Sequence, residues 1–193
     1  MKNTGTKSKA GKTSPDAEAG LRELFEDQLK DMYWAENAFA KFMPKTVEKV
    51  TSQELIDSLT EHMEVTKRQV TRLENVFELV GCKVKGEKCE AMEGLIKEAQ
   101  DIIDSTDEGP VRDAGIIGAV QKVEHYEIAS YGTLRSFANI LGEHEAASLL
   151  EETLNEEKDA DAELTELAES FINIEASGME DEGVMGSGSG KNY

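Results

Sequence analysis

Basic residues are scarce in this 193-residue chain: 21 Lys and Arg stand against 40 Asp and Glu, a formal net charge of −19. That balance excludes non-specific nucleic-acid binding, which depends on neutralising phosphates, and it opposes docking on an anionic membrane. Cysteine is nearly absent. Cys82 and Cys89 are the only two, with no second Cys pair or nearby His to complete a zinc site, so they read as reduced thiols. No window approaches the roughly eighteen consecutive apolar residues that a membrane helix needs. The lysine-bearing N-terminus has no apolar stretch of the secretory type, so a cytoplasmic protein is expected. Proline is rare as well: Pro15, Pro44 and Pro110 are the full set.

What remains is a helix-forming composition, 38% hydrophobic and 32% charged, of a length that suggests one domain. Residues 1–19 are rich in Lys, Thr, Ser and Gly, and residues 175–193 end in GSGSGKNY. Neither segment can bury enough apolar surface to order itself, so both are expected to be disordered tails on a bundle domain spanning 20–174. Within that body the periodicity predicts four long helices. The first runs from about Leu21 to Val50, with Pro44 either bending it or ending it early. The second opens at the capping signal Thr51-Ser52-Gln53-Glu54 and closes at Gly81. The third spans Val111 to Leu141 and the fourth Glu143 to Ile174. Tight joins pair the first with the second and the third with the fourth. A connection of about thirty residues, carrying a short helix from Ala91 to Asp104, links the two pairs. Two antiparallel hairpins with one long crossover make an all-α, ferritin-like four-helix bundle.

Polar ligand-type residues interrupt the apolar stripes. At about 100° per residue, Glu36 falls between Met32 and Phe39, and His62 and Gln69 fall on the line of Leu55, Leu59, Thr66 and Leu73. Glu124, Glu127 and Tyr131 share a line with Val120 and Leu134, and Glu157 and Asp161 one with Leu150, Leu154 and Leu164. Their heights along the hairpins agree. Buried carboxylates are expensive unless paired or bound to metal, and several at one level raise one another's pKa. Divalent cations resolve both problems, and carboxylate with imidazole suits iron, manganese or zinc. The competing reading is solvated acids drawn inward by drift of the helical wheel. Glu156 would replace Glu157 on a wheel offset by one. Glu64, His125 and Trp34 point away from the stripes, and Glu61 sits at an edge.

The runs LFEDQLKDMYWAE, CEAMEGLIKEA, VRDAGIIGAVQKVEHYEIASYGTL and LLEETLNEEKDADAELTELA resemble the YciE/YciF family of ferritin-like bacterial proteins. The resemblance implies a homodimer, stress-associated expression and a di-metal centre like that of rubrerythrins. Those relatives place Glu on the first helix, Glu-x-x-His on the second, Glu-x-x-Glu on the third and Glu-x-x-His on the fourth. Here Glu36, Glu124 and Glu127 match. On the fourth helix Glu157 is followed by Asp161 rather than by His at three residues. On the second, EHMEVTKRQ keeps His62 but has Val65 where family members often carry Glu. The expected metal ligands are therefore Glu36, His62, Glu124, Glu127, Glu157 and Asp161, holding iron as a pair, with manganese or zinc as substitutes. Chemistry with oxygen or peroxide would need an external electron donor, since no CxxC pair exists for a rubredoxin-type iron. The alternative is a non-enzymatic structural or interaction protein of the stress response with a degenerate site.

Overall fold

The computed structural model describes residues 14–178. The expected tails lie largely outside this range, at 1–13 and 179–193. Five long helices follow in order: α1 Pro15–Val47, α2 Gln53–Leu79, α3 Glu90–Ser105, α4 Pro110–Ile140 and α5 His144–Leu167. A π-helical turn, Ala168–Ile172, and a short helix, α6 Asn173–Ala176, follow within the described residues. Helix α1 opens five residues before the boundary at Gly20 that the tail composition suggests. Pro15 occupies its first turn, where its missing N–H costs nothing, and Asp16 and Glu18 meet the positive end of the helix dipole.

The helix ends explain the hairpins. Ser52 caps α2 by accepting a hydrogen bond from the Leu55 N–H at 3.4 Å. Helices α2 and α4 both stop at glycines with positive φ, Gly81 at 71° and Gly142 at 81°. In each, the following residue's N–H returns to the last turn, Cys82 to the Phe77 carbonyl and Glu143 to the Ala138 carbonyl, both at 2.9 Å. Pro44 sits in the last turn of α1, which continues past it to Val47.

Helix contacts run round a ring, α1 to α2, α2 to α5, α5 to α4, and α4 back to α1. Crossover helix α3 lies on the outside, against α4 and α1. Its contact with α4 is close, since a Cβ at Gly115 would meet the Ile102 Cγ2 at 2.7 Å. The loop into α3 passes over Trp34, where a Cβ at Gly86 would stand 3.2 Å from the Trp34 Cβ. This is the expected pair of antiparallel hairpins with a long helical crossover, and no strand occurs among the described residues.

Apolar residues at helical spacing fill the interior, among them Phe25, Leu29, Met32, Phe39 and Met43 of α1 and Leu55, Leu59, Leu73 and Phe77 of α2. Each such side chain contributes about 1.5–3 kcal/mol when fully buried. The π-helical turn adjusts the end of this pattern: with one widened turn after Ala168, Ile172 is buried and Phe171, which continuous α-helix would put inside, is only half covered. Polar ties then fix the helices in register. Arg72 on α2 reaches Thr153 at 2.8 Å and clasps Glu156 with both nitrogens, at 2.6 and 3.0 Å. The buried Asp113 carboxylate of α4 accepts from the Thr51 N–H at 3.0 Å, the Ser52 N–H at 2.8 Å and the Thr51 hydroxyl at 2.6 Å, tying the α1–α2 turn to the second hairpin.

Candidate metal centre

Each ring helix contributes to one polar cluster in the middle of the bundle: Glu36 from α1, His62 from α2, Glu124 and Glu127 from α4, and Glu157 from α5. All five are buried, the carboxylates at 0–1% exposure and His62 at 9%. A three-residue step puts Glu124 and Glu127 on the same face of α4. The ligand atoms form two overlapping triads, His62–Glu124–Glu157 and Glu36–Glu127–Glu157. Within each triad the three atoms lie within 4.8 Å of one another, and Glu157 belongs to both.

Without a cation this arrangement is strained electrostatically. Removal from water is the largest influence on every carboxyl and favours its neutral form. Glu36 is pushed up to about 8, first by burial and then by the Glu157 charge, against the pull of the Tyr131 hydroxyl and His62. Glu124 is likewise pushed up to about 8 by burial, with Glu36 and Asp161 adding to it. Glu127 and Glu157 are both raised well above the usual carboxylate range, by burial and then by neighbouring acids. Glu124 and Glu157 bring carboxylate oxygens within 4.8 Å of each other.

The hydrogen-bond inventory makes the same point. Tyr131, fully buried, donates to Glu36 Oε1 at 2.5 Å, and the Gln69 amide donates to Glu157 Oε1. Glu36 Oε2, both oxygens of Glu124, Glu127 Oε1 and Glu157 Oε2 have no hydrogen-bond partner. Neither has His62 Nε2, which lies 3.2 Å from Glu124 Oε1 but is not aligned to bond it. Buried polar atoms are rarely left unpaired, and each costs about 1–3 kcal/mol. Five carboxylate oxygens and one imidazole nitrogen converging without donors form a set that fits hard or borderline divalent cations. Protonation of the raised carboxyls supplies some of the missing donors in the metal-free protein.

Five of the six residues expected as ligands therefore meet. Asp161 does not join them. It stands four residues beyond Glu157, a step that advances about 40° past a full turn, toward the helix edge. There its carboxylate accepts from the Gln121 amide at 3.1 Å and contacts His125 Nε2 at 3.1 Å. His125 is on the surface, with its side chain 68% exposed. Glu61 and Glu64 stay exposed, Glu64 beside Lys67 at 2.5 Å, so neither replaces the carboxylate that Val65 lacks. Glu156, the neighbour that a small wheel error would exchange for Glu157, is held outside by Arg72. Trp34 is half-buried beneath the crossover rather than freely exposed.

Periodicity gave no signal for the polar ties that join the helices across long sequence separations. Arg72 meets Glu156 from 84 positions away, and Asp113 meets the α1–α2 turn from 62. Nor did it flag the chain in which Tyr126 donates to Asp31 at 2.7 Å and touches the Cys89 thiol at 3.0 Å. Cys89 is nonetheless a free cysteine, as is Cys82.

Comparison with known proteins agrees with this architecture. The family described as "Domain of unknown function (DUF892)" matches residues 20–177. Protein YciF of Escherichia coli K12 is 45% identical over 157 residues, 81% of this chain and 95% of that protein. Its crystal structure, described as that of a stress protein, superposes with a TM-score of 0.76 over 79% of this chain and 97% of that one. YcfI from Rhodopseudomonas palustris, described as a proposed structural protein, is 42% identical with a TM-score of 0.73, over 75% and 92% of the two chains.

Proposed function

The chain belongs to the DUF892 family, and on that footing we propose that its bundle carries a carboxylate-rich centre for a pair of divalent metal ions, iron foremost, acting on oxygen or peroxide under stress. The observation that carries this reading is the convergence of unpartnered buried oxygens on Glu36, Glu124, Glu127 and Glu157 with the His62 nitrogen. One triad would hold each ion, with Glu157 common to both. A redox-active pair supplies one-electron transfer to dioxygen or peroxide; the remaining work falls to the chain. Tyr131 fixes Glu36 and keeps a proton at its phenol, whose pKa burial and the adjacent Glu36 raise well above normal. The Gln69 amide orients Glu157. Buried Phe39 packs against the His62 imidazole, with ring centroids 6.1 Å apart. Electrons would come from an external donor. The homodimer implied by the resemblance is part of the same proposal and is read by sedimentation.

Protein purified from iron-replete cells without oxygen should carry iron, and Glu127→Ala protein should lose most of it. Addition of peroxide should then oxidise the bound iron, seen as near-ultraviolet ferric absorption. Wild-type protein that takes up neither iron nor manganese sinks this reading. The second reading, a structural protein with a degenerate site, is favoured by one feature: α2 supplies His62 alone, with Val65 in place of a further acid. It would show a metal-free protein whose cellular role survives loss of Glu124 and Glu127.

A further inference from the structure

Two cavities flank the bundle on opposite seams, and they differ in what lies at the bottom. One, of about 580 Å³, opens between α1, α4 and the start of α3. It is lined by Asp31, Cys89 and Tyr126, which bond one another, and none of the five central residues reaches it. The other, of about 200 Å³, lies between α2 and α5. Its floor is buried Leu59, His62 and Leu164; its wall includes half-buried Val65; its rim carries exposed Glu61, Asp159 and Glu163. His62 is 9% exposed and its Nε2 has no hydrogen-bond partner, standing 3.2 Å from Glu124 Oε1.

We propose that the α2–α5 cavity is the entry route by which a divalent cation reaches the buried centre, with the rim acids gathering it and His62 receiving it from the cavity floor. The inference rests on the metal-centre reading and adds a direction to it. Several features support that direction. The route ends on an imidazole already beside a ligand carboxylate. The volume accommodates several waters at about 30 Å³ each, enough for a cation to arrive partly hydrated. Three exposed acids outnumber the one base of the lining, Arg68, which bonds back to the Glu64 carbonyl of its own helix at 3.2 Å. A cleft lined by one sign of charge raises the local concentration of the opposite ion. The cavity of the opposite seam, by contrast, ends on none of the five central residues.

The test is stopped-flow uptake of Co(II) alone by the full chain, followed through its visible absorption. Val65→Phe narrows the wall and should slow uptake by roughly ten-fold or more while the final stoichiometry stays at the wild-type value. Neutralising the rim with Glu61→Gln, Asp159→Asn and Glu163→Gln together should slow it a few-fold and flatten its dependence on salt. This second variant alters only exposed side chains, so it reports even where Val65→Phe fails to fold. Ala129→Phe, in the other cavity, should leave the rate unchanged. Wild-type rates in the Val65 and rim variants, or slowing by Ala129→Phe alone, overturn the route while the centre stands. A wild-type chain that binds no Co(II), iron or manganese overturns both.

Discussion

The two triads share Glu157 yet differ in their surroundings. Glu36 and Glu127 come from α1 and α4, the seam that α3 covers, and there a buried tyrosine donates to Glu36. His62 lies on the floor of the α2–α5 cavity with Glu124 3.2 Å behind it, and both Glu124 oxygens and the imidazole Nε2 have no hydrogen-bond partner. One half has its own donor and meets neither cavity; the other reaches a cavity through His62 and has no donor to Glu124. The difference teaches that burial alone does not define a site of this kind. The proposed entry route reaches the half that borders a cavity, and the other half has a hydrogen-bond donor of its own.

The largest effect should come from the residue common to both halves. Glu157→Ala should weaken binding of every metal tested by roughly 100-fold or more, since even groups outside the ligand set are worth 10–100-fold. Retention of one tightly held ion would show that the halves do not share it.

Next is the behaviour of metal-free protein with pH. Glu36 and Glu124 stand at about 8 against an ordinary 4.5. A carboxyl raised in the folded state binds its proton more tightly there than in the unfolded chain. Its contribution to stability is complete below about 4.5 and is lost as pH rises through about 8. Thermal unfolding of the metal-free chain should therefore fall by roughly 5 °C or more between pH 5.5 and 8.5. Bound metal holds the carboxylates ionised and should flatten that slope. A metal-free chain that gains stability toward pH 8.5 would contradict the buried-acid picture.

Tyr131→Phe separates the halves more finely. It removes the donor to Glu36 and should cost about 1–2 kcal/mol in the metal-free protein by chemical denaturation, with the His62 half still loading. An unchanged denaturation midpoint would mean that Glu36 finds another donor. The smallest expected effect is at Asp161, which sits with Gln121 and His125 outside both triads. Asp161→Asn should leave metal stoichiometry unchanged and stability within about 0.5 kcal/mol. A lost ion would return Asp161 to the ligand set.

Much of this was legible in the sequence because it depends on local periodicity. The helix ends follow from Ser52, Gly81 and Gly142, whose capping roles are short-range. Glu36, Glu124, Glu127 and Glu157 could be found because each breaks an apolar stripe at a matching height. Asp161 lies outside both triads because a four-residue step drifts off a helix face, and its partner His125 is on another helix. Residues 168–172 show the same limit: a π-helical turn shifts the pattern by one residue, burying Ile172 in place of Phe171. The Arg72 clasp, the Asp113 tie and the contacts of Cys89 with Tyr126 join residues far apart in sequence, and no local pattern encodes them.

The most direct test is anomalous diffraction from crystals grown with Mn(II) and collected at an energy where manganese scatters anomalously. Two peaks inside the bundle, one against His62 and Glu124, the other against Glu36 and Glu127, with Glu157 between them, are the expected result. A bundle interior without a peak, in crystals whose surface sites are occupied, would contradict the metal centre.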